Sequence, residues 1–183
     1  MTDKKSKILI VDDNEINLRL MSVLLKNNGY LSETATDGIE ALEKIKKSAY
    51  DLIFLDIMMP VMDGYEVCKT LKQDLLTQRI PVVMVTALAD KESKLKGLDA
   101  GANDFLTKPV DGAELMVRTR NLLRIKELED FLRHHNELLK VEVENMTSEL
   151  RSSYIDTILR LTRVAEYKDE NTAAHIQRAG YFS

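Results

Sequence analysis

The sequence predicts an α/β fold, a doubly wound five-stranded parallel sheet of the flavodoxin-like type, followed by a long C-terminal helical extension. Two observations lead to this prediction. Short apolar runs alternate with segments of helical period through roughly the first 120 residues, which is typical of repeated β-α units. All three prolines and six of the seven glycines lie in the first 112 residues, and residues 113–179 contain neither. Such a stretch favours one continuous helix.

The strands are predicted from five runs. Residues 8–11, 52–55 and 82–85 are apolar without alternation, as expected for parallel strands buried on both faces. These lie within the predicted strands 7–11, 51–57 and 81–87, and the two remaining strands are expected at residues 30–34 and 104–107.

The helices between the strands are predicted from apolar residues three or four positions apart. Ile16, Leu20 and Val23 are one such set, and Ile39 and Ile45 belong to another. Each helical segment is preceded by a residue that commonly caps a helix N-terminus. These predicted caps are Asn14, Asp37, Asp63, Asp90 and Asp111.

The extension carries a heptad pattern. From Leu115, eight of the twelve a and d positions up to residue 153 are apolar, which favours a coiled coil. Asn136 occupies an a position, where a polar residue favours a parallel, two-stranded, in-register pair. After Leu150 the apolar positions shift to Tyr154 and Ile158, and this four-residue step is a stutter that should loosen the supercoil.

Polar residues stand at the carboxyl ends of the predicted strands. Asp12 and Asp13 follow the first strand, Asp56 ends the third, Thr86 ends the fourth, and Lys108 follows the fifth. Ligands bind at this edge of open parallel sheets, so we expect these five side chains to converge. Three close carboxylates repel one another unless a cation joins them, and oxygen-preferring Mg²⁺ (or Mn²⁺) fits such a site.

This set of residues indicates phosphoryl transfer to a carboxylate. Asp56 is the predicted nucleophile because it ends a central, wholly apolar strand. Asp12 and Asp13 are then metal ligands, Thr86 donates to a phosphoryl oxygen, and Lys108 bridges the phosphoryl group and Asp56. In such reactions a cation and a positioned amine stabilise the transferring group.

With these residues in place, the chain resembles the CheY-like receiver domains of two-component response regulators. The matching segments are residues 8–13, 55–64, 85–87 and 107–109, and the resemblance spans roughly residues 5–124. It implies that a sensor histidine kinase phosphorylates Asp56 and that the backbone carbonyl of Met58 is a further metal ligand. It also implies a cis Lys108–Pro109 bond and a role for Phe105 as the aromatic switch residue.

Residues 161–178 resemble the opening of an HD-GYP domain, the cyclic-di-GMP phosphodiesterase output often attached to receivers. The resemblance implies that His175 is a metal ligand of that domain. The predicted organisation is a receiver at 1–124, a coiled-coil dimerisation and signalling helix at 125–160, and the truncated beginning of the output domain at 161–183. This chain itself is expected to lack phosphodiesterase activity. A diguanylate cyclase output, or a stand-alone dimerising adaptor, remains open.

Composition narrows the cellular setting. A net charge of −4 argues against a nucleic-acid-binding surface, which needs a dense array of basic residues. Cys68 is the only cysteine, so an intrachain disulfide is impossible. The first residues lack a signal-peptide core, and no apolar run approaches the roughly 20 residues that cross a bilayer. We therefore expect a soluble, cytoplasmic protein without a membrane partner.

Three other classes of protein fit the residues less well. A haloacid-dehalogenase-like phosphatase needs a second aspartate two positions after the first, where this chain has Met58. A nucleotide-binding module needs a glycine-rich turn after the first strand, and residues 11–15 contain no glycine. His134 and His135 lack the flanking pattern of a histidine kinase, so we interpret them as part of a solvated helix face.

Overall fold

The structure is a computed structural model that describes residues 5–87 and 91–179. The side chains of residue 91 and of residues 164–179 lie outside the described set. The chain divides into two compact units, Met1–Asp130 and Phe131–Ser183. The first unit contains the whole sheet.

The sheet has five parallel strands in the order β2-β1-β3-β4-β5, which confirms the predicted fold class. Because the order reverses between β1 and β3, a crevice forms at their carboxyl ends, the usual ligand position in such sheets. The strands are β1 Lys7–Val11, β2 Leu31–Ala35, β3 Leu52–Asp56, β4 Val82–Thr86 and β5 Asp104–Thr107.

Five helices alternate with the strands. The last is a single helix of 68 residues, in agreement with the stretch that lacks glycine and proline. Asn14, Asp37 and Asp63 each accept a hydrogen bond from the backbone of the first turn, as predicted for N-caps, whereas Asp90 lies outside the described residues. The helices are α1 Glu15–Asn27, α2 Gly38–Lys47, α3 Gly64–Gln73, α4 Lys91–Asp99 and α5 Gly112–Ala179.

Two hydrophobic cores lie on opposite faces of the sheet. Along β3, Ile53 and Leu55 belong to the core with α2 and α3, whereas Leu52 and Phe54 belong to the core with α1 and α5. Successive strand side chains point to opposite faces, so a strand covered on both sides must be apolar throughout. This explains the uninterrupted apolar runs, and it holds β3 rigidly in the middle of the unit.

Helix α1 shows where hydrophobic spacing misleads. Ile16 is 76% exposed, and Leu20 and Val23 are also exposed, although their spacing is helical. The residues that pack on the sheet include Leu18 and Met21. The helix has apolar residues on two faces, both with three- and four-residue steps, and the spacing does not show which face meets the sheet.

Beyond the first unit, the side chains of α5 that the structure describes, at residues 131–163, are mostly exposed. Its apolar heptad residues Leu132, Leu139, Val143 and Leu150 are 42–63% accessible to solvent. Among the residues that the structure describes, no helix contains a segment both long enough and apolar enough to cross a membrane.

Candidate functional site

Three carboxylates meet at the carboxyl end of the sheet. Asp12 and Asp13 follow β1 and Asp56 ends β3, and one oxygen of each lies within 4.8 Å of the others. Asp12 and Asp56 are buried, whereas Asp13 is exposed to solvent. Oxygen donors so placed are a suitable set for a hard divalent cation, which would gain two fixed ligands and one accessible ligand.

Lys108 joins two of these carboxylates. Its Nζ lies 2.9 Å from Asp12 Oδ2 and 2.8 Å from Asp56 Oδ2. The residue follows β5, its backbone N–H donates to the carbonyl of Thr86 at 2.8 Å, and its peptide bond to Pro109 is cis. One amine therefore faces the two buried carboxylates from a position anchored to the neighbouring strand.

Asp12 is held by the start of α1. Its Oδ1 accepts hydrogen bonds from the Asn14 N–H at 2.9 Å and from Asn17 Nδ2 at 3.0 Å. The sequence analysis did not identify Asn17. Its position in the first turn of a helix that starts beside the acidic pair was the available signal. Asn17 Nδ2 also lies 3.1 Å from Oδ2, the oxygen that contacts Lys108, so these contacts fix the orientation of the whole carboxylate.

The cluster contains more negatively charged groups than positively charged ones. Burial raises the pKa of Asp56; Lys108 opposes this shift, and the neighbouring Asp12 adds to it. Burial alone would lower the pKa of Lys108, but its contacts with Asp12 and Asp56 outweigh burial and raise it. The amine thus stays charged, and three carboxylates share one positive group. A divalent cation would relieve this excess of negative charge.

The segment after Asp56 turns tightly over the strand end. A Cβ on Gly64 would lie 2.3 Å from the backbone oxygen of Asp56, so only glycine fits there. The Gly64 N–H donates to the Ile57 carbonyl at 2.9 Å, and the Met58 N–H points to Asp56 Oδ1 at 3.4 Å. The backbone of Met58 therefore lies beside the carboxylate, and its side chain is exposed.

Thr86 lies on β4, the strand next to β3, and Phe105 lies on the edge strand β5. Thr86 is buried at the end of β4, one residue beyond Val85, which pairs with Asp56. Phe105 is half-buried on β5, directly beneath Gly97 of α4, where an added Cβ would lie 2.6 Å from the ring. Helix α4 therefore packs directly on the Phe105 ring at Gly97.

The predicted output residue His175 lies among the residues whose side chains are not described. His134 and His135 are exposed, and His135 stacks on Phe131 one helical turn earlier, with ring centroids 6.2 Å apart. This contact lies along the helix surface, and the exposure of both histidines agrees with a solvated helix face.

The chain is similar to known response regulators. Residues 8–120 match the family described as the response regulator receiver domain. The chain is 47% identical to the response regulator PleD of Caulobacter vibrioides over 128 residues, 70% of this chain and 28% of that protein. It is 35% identical to a probable cyclic di-GMP phosphodiesterase of Vibrio cholerae over 175 residues, 96% of this chain and 40% of that protein.

The fold of this chain is also found in a solved structure. The chemotaxis response regulator CheY4 of Vibrio cholerae superposes with a TM-score of 0.63 at 34% identity, covering 65% of this chain and 99% of that structure. The chain spans less than half of the length of the two curated relatives.

Proposed function

Because this chain belongs to the response regulator receiver family, we propose that Asp56 accepts a phosphoryl group from a sensor histidine kinase. The observation that carries the proposal is the meeting of Asp12, Asp13 and Asp56 with the single amine of Lys108. A carboxylate oxygen of Asp56 forms the new P–O bond, the P–N bond to the kinase histidine breaks, and the imidazole leaves with the bonding pair.

Each neighbouring side chain has a separate task in this step. Asp12, Asp13, Asp56 and the Met58 carbonyl would hold Mg²⁺ (or Mn²⁺), which neutralises charge on the phosphoryl oxygens. The Lys108 amine turns from the carboxylates to a phosphoryl oxygen, and the Thr86 hydroxyl donates to another. These contacts pull on β4 and β5, and Phe105 passes the shift to α4 through its contact with Gly97.

The test is phosphorylation with a small donor. Acetyl phosphate and Mg²⁺ should raise the intact mass of the full chain by one phosphoryl group. Asp56→Asn should abolish the increase because the amide is no nucleophile, whereas Asp99→Asn, an exposed carboxylate on α4, should leave it unchanged. The assignment would be contradicted if Asp56→Asn gained the same mass as wild type. It would also be contradicted if Asp99→Asn lost the mass increase while Asp56→Asn kept it.

We further infer that α5 relays the signal as a parallel coiled-coil homodimer. The exposed apolar residues at heptad positions support this, since pairing would bury them. Residues 125–160 would form the pair, with the receiver at 1–124 on each chain. Light scattering at tens of micromolar should give twice the chain mass, and Leu139→Lys with Val143→Lys should give the monomer mass. A monomeric wild type would contradict the relay.

The output of the parent protein is best assigned as an HD-GYP-type phosphodiesterase of cyclic-di-GMP. The match to the Vibrio cholerae phosphodiesterase supports this because it extends over 175 residues, well past the receiver. Residues 161–183 would then begin that domain and His175 would be one of its metal ligands, while this chain alone would not hydrolyse the dinucleotide. A diguanylate cyclase output or a stand-alone dimerising adaptor is the alternative.

A further inference from the structure

Away from the carboxylate cluster, an ion pair joins α5 to the amino end of the sheet. Asp51 immediately precedes β3, and its Oδ1 lies 2.8 Å from the Nζ of Lys126 on α5. The other oxygen, Oδ2, accepts the Lys7 backbone N–H at 2.9 Å, and the Asp51 N–H donates back to the Lys7 carbonyl at 2.7 Å. Asp51 is therefore fixed to the first residue of β1 and presents its remaining oxygen to the helix.

This contact differs from an ordinary surface ion pair. The side chains of Lys126 and Asp51 are only 18% and 27% exposed, so solvent screens them incompletely. The same amine lies 3.4 Å from the carbonyl oxygen of Tyr50, a buried residue. A cleft of about 490 Å³ lies alongside, lined in part by Tyr30 and Leu123. The pair is thus part of a built contact between α5 and the sheet edge.

Lys126 belongs to the same compact unit as the sheet. The sequence analysis placed the end of the receiver at residue 124, whereas the compact unit runs to Asp130. Lys126 lies between these two positions. Helix α5 therefore contacts the sheet edge as far along the chain as Lys126, beyond the predicted end of the receiver.

One strand connects this contact to the acceptor site. Asp51 stands before the first residue of β3 and Asp56 is its last residue, a separation of about 17 Å along an extended strand. Helix α5 runs beside it. Arg118 contacts Asp104 of β5, and Lys126 contacts Asp51 two turns later. Rotation of α5 about its own axis would move Arg118 away from Asp104 and Lys126 away from Asp51.

We propose that Asp51 is a positioning residue for signal relay, which through Lys126 sets the rotational position of α5 where it leaves the receiver. Phosphorylation of Asp56 acts on α5 against this restraint. The relay part of the inference rests on the proposed function, whereas the positioning part rests on the contact alone. Both residues lie far from the carboxylate cluster, at the opposite end of β3.

The test compares four full-length chains by amide hydrogen exchange: wild type, Lys126→Met, Lys126→Arg and Lys140→Met. Lys140 is an exposed lysine of the same helix and serves as the matched control. Without a phosphodonor, amides of residues 122–130 should exchange about fivefold faster in Lys126→Met, the effect of losing one partly screened ion pair. Lys126→Arg retains a positive group and should behave as wild type, as should Lys140→Met.

The second arm adds acetyl phosphate and Mg²⁺. Exchange of residues 122–130 should change on phosphorylation in wild type and in Lys140→Met, and this change should be lost in Lys126→Met at equal phosphorylation by intact mass. A purely structural pair would leave the phosphorylation-dependent change in place, which would overturn the relay role. Equal exchange in Lys126→Met and wild type without the donor would overturn the positioning role. If wild type gains no mass, the proposed function fails, and the first arm still decides the positioning role.

Discussion

The two ends of the parallel sheet hold their charged side chains in different ways. At the carboxyl end, two buried carboxylates and one exposed carboxylate face the single amine of Lys108. Towards the amino end, two carboxylates each have their own lysine, with Glu33 2.9 Å from Lys7 and Asp51 2.8 Å from Lys126. The carboxylate cluster at the carboxyl end carries an excess of negative charge, whereas these two pairs towards the amino end are balanced.

The pKa shifts follow the same division. Burial raises the pKa of Asp56, whereas the hydroxyl of Tyr50, followed by Lys7, lowers the pKa of Glu33. An unbalanced, buried cluster costs stability that a bound cation can recover, so it suits a site of chemistry. A balanced arrangement holds elements together and has no further need of a ligand. The comparison leads to three predictions.

The largest effect is expected at the shared amine. Lys108→Met should lower the free energy of unfolding by about 3 kcal/mol without Mg²⁺, because it leaves two buried carboxylates without their counter-charge. Mg²⁺ should restore part of this loss by binding the folded state. Denaturant unfolding with and without Mg²⁺ measures both. Lys126→Met is the control at the balanced end, with a loss of about 1 kcal/mol that Mg²⁺ does not change. Equal, Mg²⁺-independent losses would remove the distinction between the ends.

A smaller effect of opposite sign is expected at the acceptor. Because the folded-state pKa of Asp56 is raised, this group adds stability below its unfolded pKa and loses it as pH rises through the folded value. Near neutral pH, Asp56→Asn should therefore be more stable than wild type by about 1 kcal/mol without Mg²⁺, since a neutral amide replaces a buried charge. Thermal unfolding across pH 4–8 should show the advantage shrinking in acid. A variant less stable than wild type at neutral pH would be the contrary result.

The smallest effect is expected at the balanced end. The lowered pKa of Glu33 means that its stabilising contribution is present above the ordinary carboxyl pKa and is lost as pH falls through the lowered folded value. Lys7→Met should cost about 0.5 kcal/mol near neutral pH, since the pair is partly solvent-exposed, and should flatten the loss of stability in acid. Thermal midpoints between pH 3 and 7 measure this. A steeper acid loss in the variant would contradict it.

The fold was open to prediction because its determinants are local. Continuous apolar runs such as residues 52–55 require strands covered on both faces, and the residues that follow them stand at the carboxyl edge in any parallel arrangement. The positions of Asp12, Asp56 and Lys108 follow from this, and the structure brings them within hydrogen-bonding distance. The long α5 follows equally from the absence of glycine and proline after residue 112.

Other features depend on how the elements pack. The packing of α1 on the sheet decides which of its two apolar faces is buried. Ile16 is exposed, although its spacing matches that of the buried residues Leu18 and Met21. The hydrogen bond from Asn17 to Asp12 requires the first turn of α1 to lie next to the end of β1.

The sequence by itself determined the order of strands and helices, the acidic edge and the unbroken final helix, because each depends on residues adjacent in the chain. Only the tertiary structure decided that Lys126 meets Asp51, a residue 75 positions earlier. Both are common surface residue types, and their meeting depends on the line along which α5 crosses the sheet. That line is decided by side chains such as the fully buried Leu115, which packs into the core between α5 and the strands.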